Sequence, residues 1–439
     1  MNVLRKKWQI ILYGCSGLGI NMMGMIVGSY LCSALLTGGF VDNVENWTYL
    51  NKDLVVAGLW SVLAFLSKAF DGIVDIPLAS FTDGLRTRWG RRRPPILVGW
   101  IVTAAAYVLF LFPLQSGATV LNTVWFALLL TVFYSAYTIT MLTYYATFSE
   151  IIDNEADRIF LSNVKSICDV IYFSMSFALV PVFVGMGINV RWVALMFLPL
   201  SLTMLIPLLM IKEKPTNVGE VTLKMREQVS LKRAFVFSFK NRDYIFWLCI
   251  LFTMNLGLQL FLSGINEFFS TTGVNMTFVM ASAFAPVPFT LQIYNKFIKW
   301  KGLRFAYQYA LCMFSAGMAL MFFCRNLDGA LLLPFAIFCS ILTSFGIGAF
   351  FSVTYTIPSQ LAEAENAKGE TCASSMYFAI QGLFEAVSAS LASHVILVYL
   401  KQSGGVYLLT LLVALFCMGA FVFAIFLPRS VATLGKVKK

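Results

Sequence analysis

Charged residues are scarce in this sequence. Asp, Glu, Lys and Arg make up only 12% of its 439 residues, which is roughly half the share found in an ordinary soluble domain. The chain is 59% hydrophobic, and its mean hydropathy is +0.79. This composition excludes a soluble globular domain as the class of the protein.

Patterns that carry enzyme chemistry are also lacking. The sequence has one histidine, His394, and shows no glycine-rich nucleotide loop, no metal-ligand cluster and no triad spacing. These absences exclude an ATP-driven pump, and they predict a protein that is not an enzyme and uses no cofactor other than a coupling ion. His394 falls near the end of an apolar run, so we expect it to contact lipid headgroups rather than relay protons. A transport-like sensor is disfavoured because no soluble output domain is evident.

Paired cysteines in predicted outer loops are missing as well. Most of the nine cysteines fall inside apolar runs. We therefore interpret them as free apolar residues and expect no disulfide framework.

Long apolar runs, in contrast, recur from end to end. A transmembrane helix needs about 20 predominantly apolar residues, and twelve runs meet that length. They lie near 11–37, 54–80, 95–115, 121–147, 163–187, 190–211, 244–269, 277–298, 304–323, 330–356, 373–400 and 406–427. The sequence thus predicts an all-α membrane protein with twelve transmembrane helices.

One long polar stretch divides these helices into two sets of six. We expect residues 1–211 to form an N-terminal six-helix bundle and residues 244–427 to form a C-terminal one. Residues 212–243 are predicted to be a cytoplasmic central loop, and residues 428–439 a cytoplasmic tail. Paired halves of this kind are typical of transporters.

Basic residues predict the topology. The segments that are inner when both ends are cytoplasmic hold 26 of the 32 Lys and Arg, whereas the outer loops hold four. By the positive-inside rule, both termini are predicted to be cytoplasmic in a multi-pass protein of the cell membrane, either plasma or bacterial inner membrane. The net charge of +11 is spread over short loops, so its expected partners are membrane lipids and not nucleic acid.

Two acidic residues lie inside the second apolar run. Asp71 and Asp75 are four residues apart, so both carboxylates lie on one helix face, and Lys68 shares that face. A carboxylate at mid-bilayer depth costs about 2.5–3.5 kcal/mol on insertion scales. One lysine neutralises one aspartate and leaves the other uncompensated, which favours a bound Na+ or proton. The alternative is a purely structural ion pair with Lys68.

The segments KAFDGIVDIP and TDGLRTRWGRRRP resemble the glycoside–pentoside–hexuronide:cation symporters. This family belongs to the major facilitator superfamily, and its type member is melibiose permease. The likeness covers essentially the whole chain in helix count, loop lengths and central loop. It implies the major facilitator fold and cation-coupled symport of a small polar solute by alternating access. We expect a monomer.

The resemblance implies a cation site and a cytoplasmic gate. Asp71 and Asp75 match the family's cation-binding aspartates, Thr138 matches a threonine that helps to bind the cation, and Lys68 supports the site. Asp71 and Asp75 would be Na+ ligands if the coupling ion is sodium. Val74 stands where the family has an asparagine, so a proton remains the alternative coupling ion. The expected gate residues match a loop motif of the superfamily and are Asp83, Arg88, Arg91 and Arg92.

The resemblance also implies a solute site that differs from that of melibiose permease. Lys165 stands where the family has an arginine near the sugar, and Tyr145 stands where it has a stacking aromatic. Asn21 and Met141 replace two sugar-binding aspartates, and Glu385 replaces a lysine. The galactoside site is therefore not reproduced, and the solute is expected to be another sugar, glycoside or hexuronide. A lysolipid or other amphipath carried on the same fold is the alternative.

Packing is the alternative role for several of these residues. Lys165 and Asp169 are four residues apart and suit an internal salt bridge. Glu385 is either a packed acid or a residue of the central cavity. Tyr144 and Tyr145 either stack on a sugar ring or pack between helices.

Overall fold

The structure is a computed structural model that describes residues 6–85, 87–149, 151, 155–212, 241–327, 329–366 and 374–427. Within the described helices some side chains are left out, and those of Asp75 and Asp83 are among them. The predicted central loop and C-terminal tail lie almost wholly outside the described residues.

Twelve helices in the described part of the chain are long and apolar enough to cross a membrane, and no strand occurs there. They are α1 (Lys7–Leu35), α2 (Ala57–Gly84), α3 (Arg93–Phe110), α4 (Val120–Ala146), α5 (Glu155–Gly185), α6 (Val190–Met210), α7 (Arg242–Thr272), α8 (Met276–Lys301), α9 (Leu303–Asn326), α10 (Leu332–Asn366), α11 (Ile380–Ser403) and α12 (Val406–Ala424). The predicted all-α architecture is confirmed.

Two helices extend well beyond their predicted ends. Helix α5 begins at Glu155, although the apolar run begins near residue 163, and α10 continues to Asn366, although its run ends near residue 356. Both extensions are polar segments that hydropathy alone does not count as membrane-spanning. Helix α5 continues through its extension because that segment contains no proline or glycine, whereas α10 continues through Pro358.

The helices group into two units. One unit contains α1–α6, and the other contains α7–α12 together with the short segment Gly38–Asp42. In the first unit, α4 packs along α2 and α3, and α1 packs along α5 and α6. In the second unit, α7 packs along α11 and α12, and α9 packs between α10 and α12.

Glycine permits the closest helix contact in the first unit. A Cβ added at Gly19 of α1 would lie 1.9 Å from the Leu200 carbonyl oxygen of α6. The hydroxyl of Thr203, also on α6, donates to the Ser16 carbonyl of α1 at 2.8 Å. Small residues at membrane helix interfaces let backbones approach and gain van der Waals contact.

Large apolar side chains remain exposed along the helices, which suits a lipid-facing surface. Leu209 is 76% exposed and Phe289 is 70% exposed. His394, in contrast, is only 4% exposed. The expectation that this histidine contacts lipid headgroups is therefore wrong, because α11 turns it toward the interior of its unit.

Candidate cation and solute sites

Asp71 lies on α2 in a buried polar cluster. The side chain of Lys68 places its ammonium nitrogen 3.0 Å from Asp71 Oδ2, and the Thr138 hydroxyl of α4 donates to Asp71 Oδ1 at 2.9 Å. Lys68 Nζ also lies 3.5 Å from the centre of the Tyr134 ring, again on α4. The structure thus brings together three of the four predicted cation-site residues.

This cluster combines an ion pair with oxygen atoms of the kind that a cation site needs. Asp71 Oδ1 and Thr138 Oγ1 are adjacent oxygens, which is the ligand type that hard cations take. Lys68 neutralises Asp71, so the negative charge for a bound cation has to come from Asp75. Asp75 lies one turn further along α2, and its side chain lies outside the described residues. The donor chemistry that is described fits Na+ in kind.

A second polar contact on α4 was not anticipated from the sequence. The Tyr137 hydroxyl donates to Asn21 Oδ1 of α1 at 2.8 Å. Tyr137 directly precedes Thr138, whose hydroxyl donates to Asp71. This tyrosine therefore stands between the cation cluster and the predicted solute residues. The sequence gives no signal for it, because 15% of the residues are aromatic.

Lys165 and Asp169 form an ion pair on α5. Each side chain is about one quarter exposed, at 25% and 27%, and Lys165 Nζ lies 5.0 Å from the centre of the Tyr145 ring of α4. The predicted salt bridge is present. It lies beside the partly exposed ring of Tyr145 and is not fully buried. An exchangeable charged pair next to an aromatic face can bind a polar, ring-shaped solute.

Met141 and Tyr144 are packing residues in this structure. Both belong to a buried cluster that α1, α3, α4, α5 and α6 form together, where Met141 is 4% exposed and Tyr144 is fully buried. The Tyr144 hydroxyl donates to the Tyr13 carbonyl of α1. The packing interpretation of Tyr144 is supported, whereas Tyr145 keeps a partly exposed ring.

Glu385 lies on α11 in a hydrogen-bonded network of the second unit. Its Oε1 accepts from Gln381 Nε2 at 3.0 Å, and Gln381 Oε1 accepts from the Trp247 indole at 3.0 Å. Asn255 Nδ2 donates to the Glu385 carbonyl at 2.9 Å. The network fixes the orientation of the carboxylate and leaves it partly exposed. Trp247, Asn255 and Gln381 were not identified from the sequence.

The basic loop between α2 and α3 contains the predicted gate residues. Arg88 and Arg91 are exposed, whereas Arg92 is only 5% exposed. The loop turns at Gly90, which has a φ of 92°, and the Thr87 hydroxyl donates to the Gly90 carbonyl at 2.6 Å. The side chain of Asp83 lies outside the described residues, so its predicted pairing stays a prediction.

Helix α4 contributes side chains to both clusters of predicted site residues in the first unit. Tyr134 and Thr138 contact the cation cluster, Tyr137 contacts Asn21, and Tyr145 contacts Lys165. These side chains recur at spacings of three, four and seven residues, which places them along adjoining faces of one helix. A displacement of α4 would therefore change both clusters at once.

Twelve helices that are long and apolar enough to cross a membrane, grouped in two units with buried charges inside them, define a multi-pass membrane protein. A family model described as "MFS/sugar transport protein" matches residues 12–428. The chain belongs to this family of the major facilitator superfamily and is a multi-pass membrane transporter, not an enzyme. The predicted resemblance to the glycoside–pentoside–hexuronide symporters is confirmed at this level.

One curated relative and several solved structures are similar to the chain. A lactose permease of Lactobacillus helveticus is 24% identical over 261 residues, which are 54% of this chain and 39% of the relative. The nucleoside transporter NupG is similar in fold, with a TM-score of 0.57 and 14% identity over 95% of this chain and 97% of NupG.

Two further solved transporters share the fold. A bacterial homolog of the human lysosomal transporter Spinster has a TM-score of 0.59 and 12% identity over 97% of this chain and 96% of its own. A POT family transporter in complex with 5-aminolevulinic acid has a TM-score of 0.62 and 12% identity over 95% of this chain and 94% of its own.

Proposed function

We propose that this protein is a cation-coupled symporter that carries a sugar, glycoside or hexuronide across the cell membrane. The observation that supports the proposal most is the buried contact of Asp71 with Lys68 and Thr138. Intramembrane ionisable residues are functional by default because their insertion is costly. The lactose permease relative supports a sugar as the solute class.

Cation binding would act through charge balance on α2. With Lys68 paired to Asp71, the carboxylate of Asp75 is the uncompensated charge, and a Na+ ion or a proton neutralises it. Asp71 Oδ1 and Thr138 Oγ1 are the described oxygens that would hold Na+. Neutralisation lowers the free energy of the cluster and thereby fixes α2 against α4.

Solute binding would use the other contacts of α4. The proposed residues are Asn21, Met141, Tyr145 and Lys165 in the first unit and Glu385 in the second. Met141 is packed in the core, so its part is to shape the site beside Asn21. Because α4 contacts both clusters, we expect solute and cation to tighten each other's binding, as linkage requires.

A reconstituted transport assay tests this function. Proteoliposomes that contain the purified protein are given, in radiolabelled form, the solute that raises its melting temperature most in the screen described next, under a Na+ gradient, a proton gradient or neither. Uptake above equilibration under one of the two gradients is the expected result. In the screen, thermal shifts are measured with lactose, melibiose, glucuronate and lysophosphatidylcholine, with and without Na+, because a ligand of the folded state raises its melting temperature.

The outcomes of this assay separate the candidate functions. Stabilisation by a sugar or a hexuronide that increases with the coupling cation supports the symporter. Stabilisation by lysophosphatidylcholine alone, insensitive to cations, contradicts it and indicates an amphipath carrier. Melibiose is expected to give no protection, because Asn21 and Met141 do not supply the two carboxylates that its hydroxyls require.

Lys165→Ala is expected to weaken solute binding roughly tenfold, which corresponds to about 1.4 kcal/mol. The ammonium pairs with Asp169 and lies over Tyr145, outside the α2 cluster. Binding of Na+ or H+ should change much less. Isothermal titration with the best-stabilising solute and with Na+ measures both. The control is Lys52→Ala, which removes an exposed loop lysine. An equal loss of cation affinity in Lys165→Ala would contradict this assignment.

Both termini are expected to be cytoplasmic, because basic residues concentrate in the segments that this topology places inside. A reporter fused after Lys439 that is active only in the cytoplasm should therefore be active. The matched control carries the same reporter in the predicted outer loop at Gly117. Activity in the loop fusion and none in the C-terminal fusion would reverse the topology.

A further inference from the structure

A fully buried ion pair lies in the second unit, away from the predicted sites. Lys401 Nζ of α11 lies 3.0 Å from Glu267 Oε1 of α7, and the two side chains are 2% and 0% exposed. Glu267 Oε2 is buried without a hydrogen-bond partner among the described atoms. Desolvation of two charges often exceeds their mutual attraction, so such a pair is weak evidence for stability alone.

The segment Gly38–Asp42 covers this pair. It follows α1 in the chain, yet it groups with the second unit. The Phe40 ring lies over the ion pair, with its centre 4.7 Å from Lys401 Nζ. The backbone N–H groups of Val41 and Asp42 donate to Ser270 Oγ of α7 at 3.0 and 3.4 Å. An aromatic lid and two hydrogen bonds thus close the end of α7 and α11.

Two glycines let the segment approach so closely. A Cβ added at Gly38 would lie 2.8 Å from the Lys401 carbonyl oxygen. Gly39 has a φ of 90°, and its Cβ would lie 3.1 Å from both Glu267 Cγ and Val406 Cγ2. A side chain at Gly38 would meet backbone, which cannot rotate away. The docked position therefore depends on the absence of side chains.

We propose that Gly38–Asp42 is a detachable cap over the Glu267–Lys401 pair, and that its release hydrates the pair during the transport cycle. Among the described contacts, the polar attachment of the cap is two hydrogen bonds to a single hydroxyl, beside the aromatic contact of Phe40. The hidden charges oppose docking, because water would solvate them once the cap lifts. A cap held in this way over desolvated charges can occupy a docked and a released position.

The test follows the exposure of Val406, which is 2% exposed beside Gly39. Val406→Cys is introduced, and its reaction with a water-soluble maleimide is followed in detergent-purified protein. Labelling of the parent, which has nine native cysteines, is subtracted. Slow labelling of Val406→Cys is expected, compared with Tyr407→Cys at the 40% exposed neighbouring position. This readout needs no solute and does not depend on the proposed function.

Gly38→Ala in the Val406→Cys protein is expected to raise the labelling rate roughly tenfold, as a loss of about 1.4 kcal/mol of docking free energy would do. Gly117→Ala is the matched control, because a Cβ there meets nothing within 4 Å. Replacing the ion pair by methionines, as Glu267→Met with Lys401→Met, should lower the raised rate again, since no charge remains to be hydrated. If the ion pair has only a structural role, replacing it by methionines should not lower the raised labelling rate.

A second variant keeps the proposal testable if Gly38→Ala does not fold. Val41→Cys with Ser270→Cys is oxidised to a disulfide, which ties the cap to α7. Gradient-driven uptake of the solute identified in the transport assay should stop and should return after reduction, and this arm rests on the proposed function. Uptake at the parent rate with the disulfide fully formed would overturn the cap, as would unchanged labelling in folded Gly38→Ala protein.

Discussion

Asp71→Asn is expected to abolish cation-driven accumulation of solute while the protein remains folded. Asparagine keeps the shape of the side chain and a carbonyl oxygen for the Thr138 hydroxyl. It removes the charge that balances Lys68, so the stability loss should be roughly 3 kcal/mol, the lower end for a broken buried pair, because the Lys68 side chain is 21% exposed. The lysine charge then opposes a cation on the same helix. Uptake under an imposed Na+ or proton gradient in proteoliposomes measures the effect, and solute should equilibrate without concentrating.

Two controls separate coupling from stability in this experiment. Glu45→Gln removes one exposed carboxylate from the short helix Val44–Trp47 and should leave accumulation unchanged. Thr138→Val keeps the ion pair but removes the hydroxyl, so it should weaken the apparent cation affinity. Parent-level accumulation by Asp71→Asn would show that the Lys68–Asp71 pair is structural only. Asp75→Asn is predicted to lose accumulation as well, because it removes the carboxylate of α2 that Lys68 does not neutralise.

Gly19→Ala is expected to destabilise the protein strongly. The added Cβ would lie 1.9 Å from the Leu200 carbonyl oxygen and 2.6 Å from the Ser201 amide nitrogen. These are backbone atoms, so α1 and α6 must separate. Overpacking costs about 1–3 kcal/mol and occasionally more, and a clash with backbone belongs at the upper end. The melting temperature and the monodisperse fraction in detergent measure the loss.

Gly58→Ala is the matched control for Gly19→Ala. Gly58 lies in α2, is exposed, and has no atom within 4 Å of an added Cβ. Alanine is the better helix former by about 1 kcal/mol, so this variant should be as stable as the parent or more so. Equal melting temperatures for the two variants would contradict the close contact between α1 and α6.

The fold was largely predictable because hydropathy is a local property. Each span needs its own run of apolar residues, since a backbone in lipid satisfies its hydrogen bonds only within itself. The polar start of α5 and the polar end of α10 were not predicted, because hydropathy registers only the apolar part of a helix. Asp71 and Asp75 were found because a charge inside an apolar run is conspicuous. Tyr137 was missed because its polar atom is one hydroxyl among 17 tyrosines.

The two ion pairs that form within single helices show how much residue spacing can predict. Lys68 with Asp71, and Lys165 with Asp169, are three and four residues apart, so their pairing follows from the helix geometry alone. The environment of each pair does not follow from it. Only the packing of α4 against α2 puts Tyr134 beside Lys68, and only α4 brings Tyr145 to Lys165.

The sequence by itself determined the class of protein, the twelve spans and the charges within them, because each depends on residues adjacent in the chain. The tertiary structure decided which charges meet across helices. Glu267 and Lys401 are 134 residues apart, and nothing in either segment indicates the other. Residues Gly38–Asp42 carry no motif, yet they close over that pair. Such contacts depend on which helix faces come together, and burial of the whole chain selects those faces.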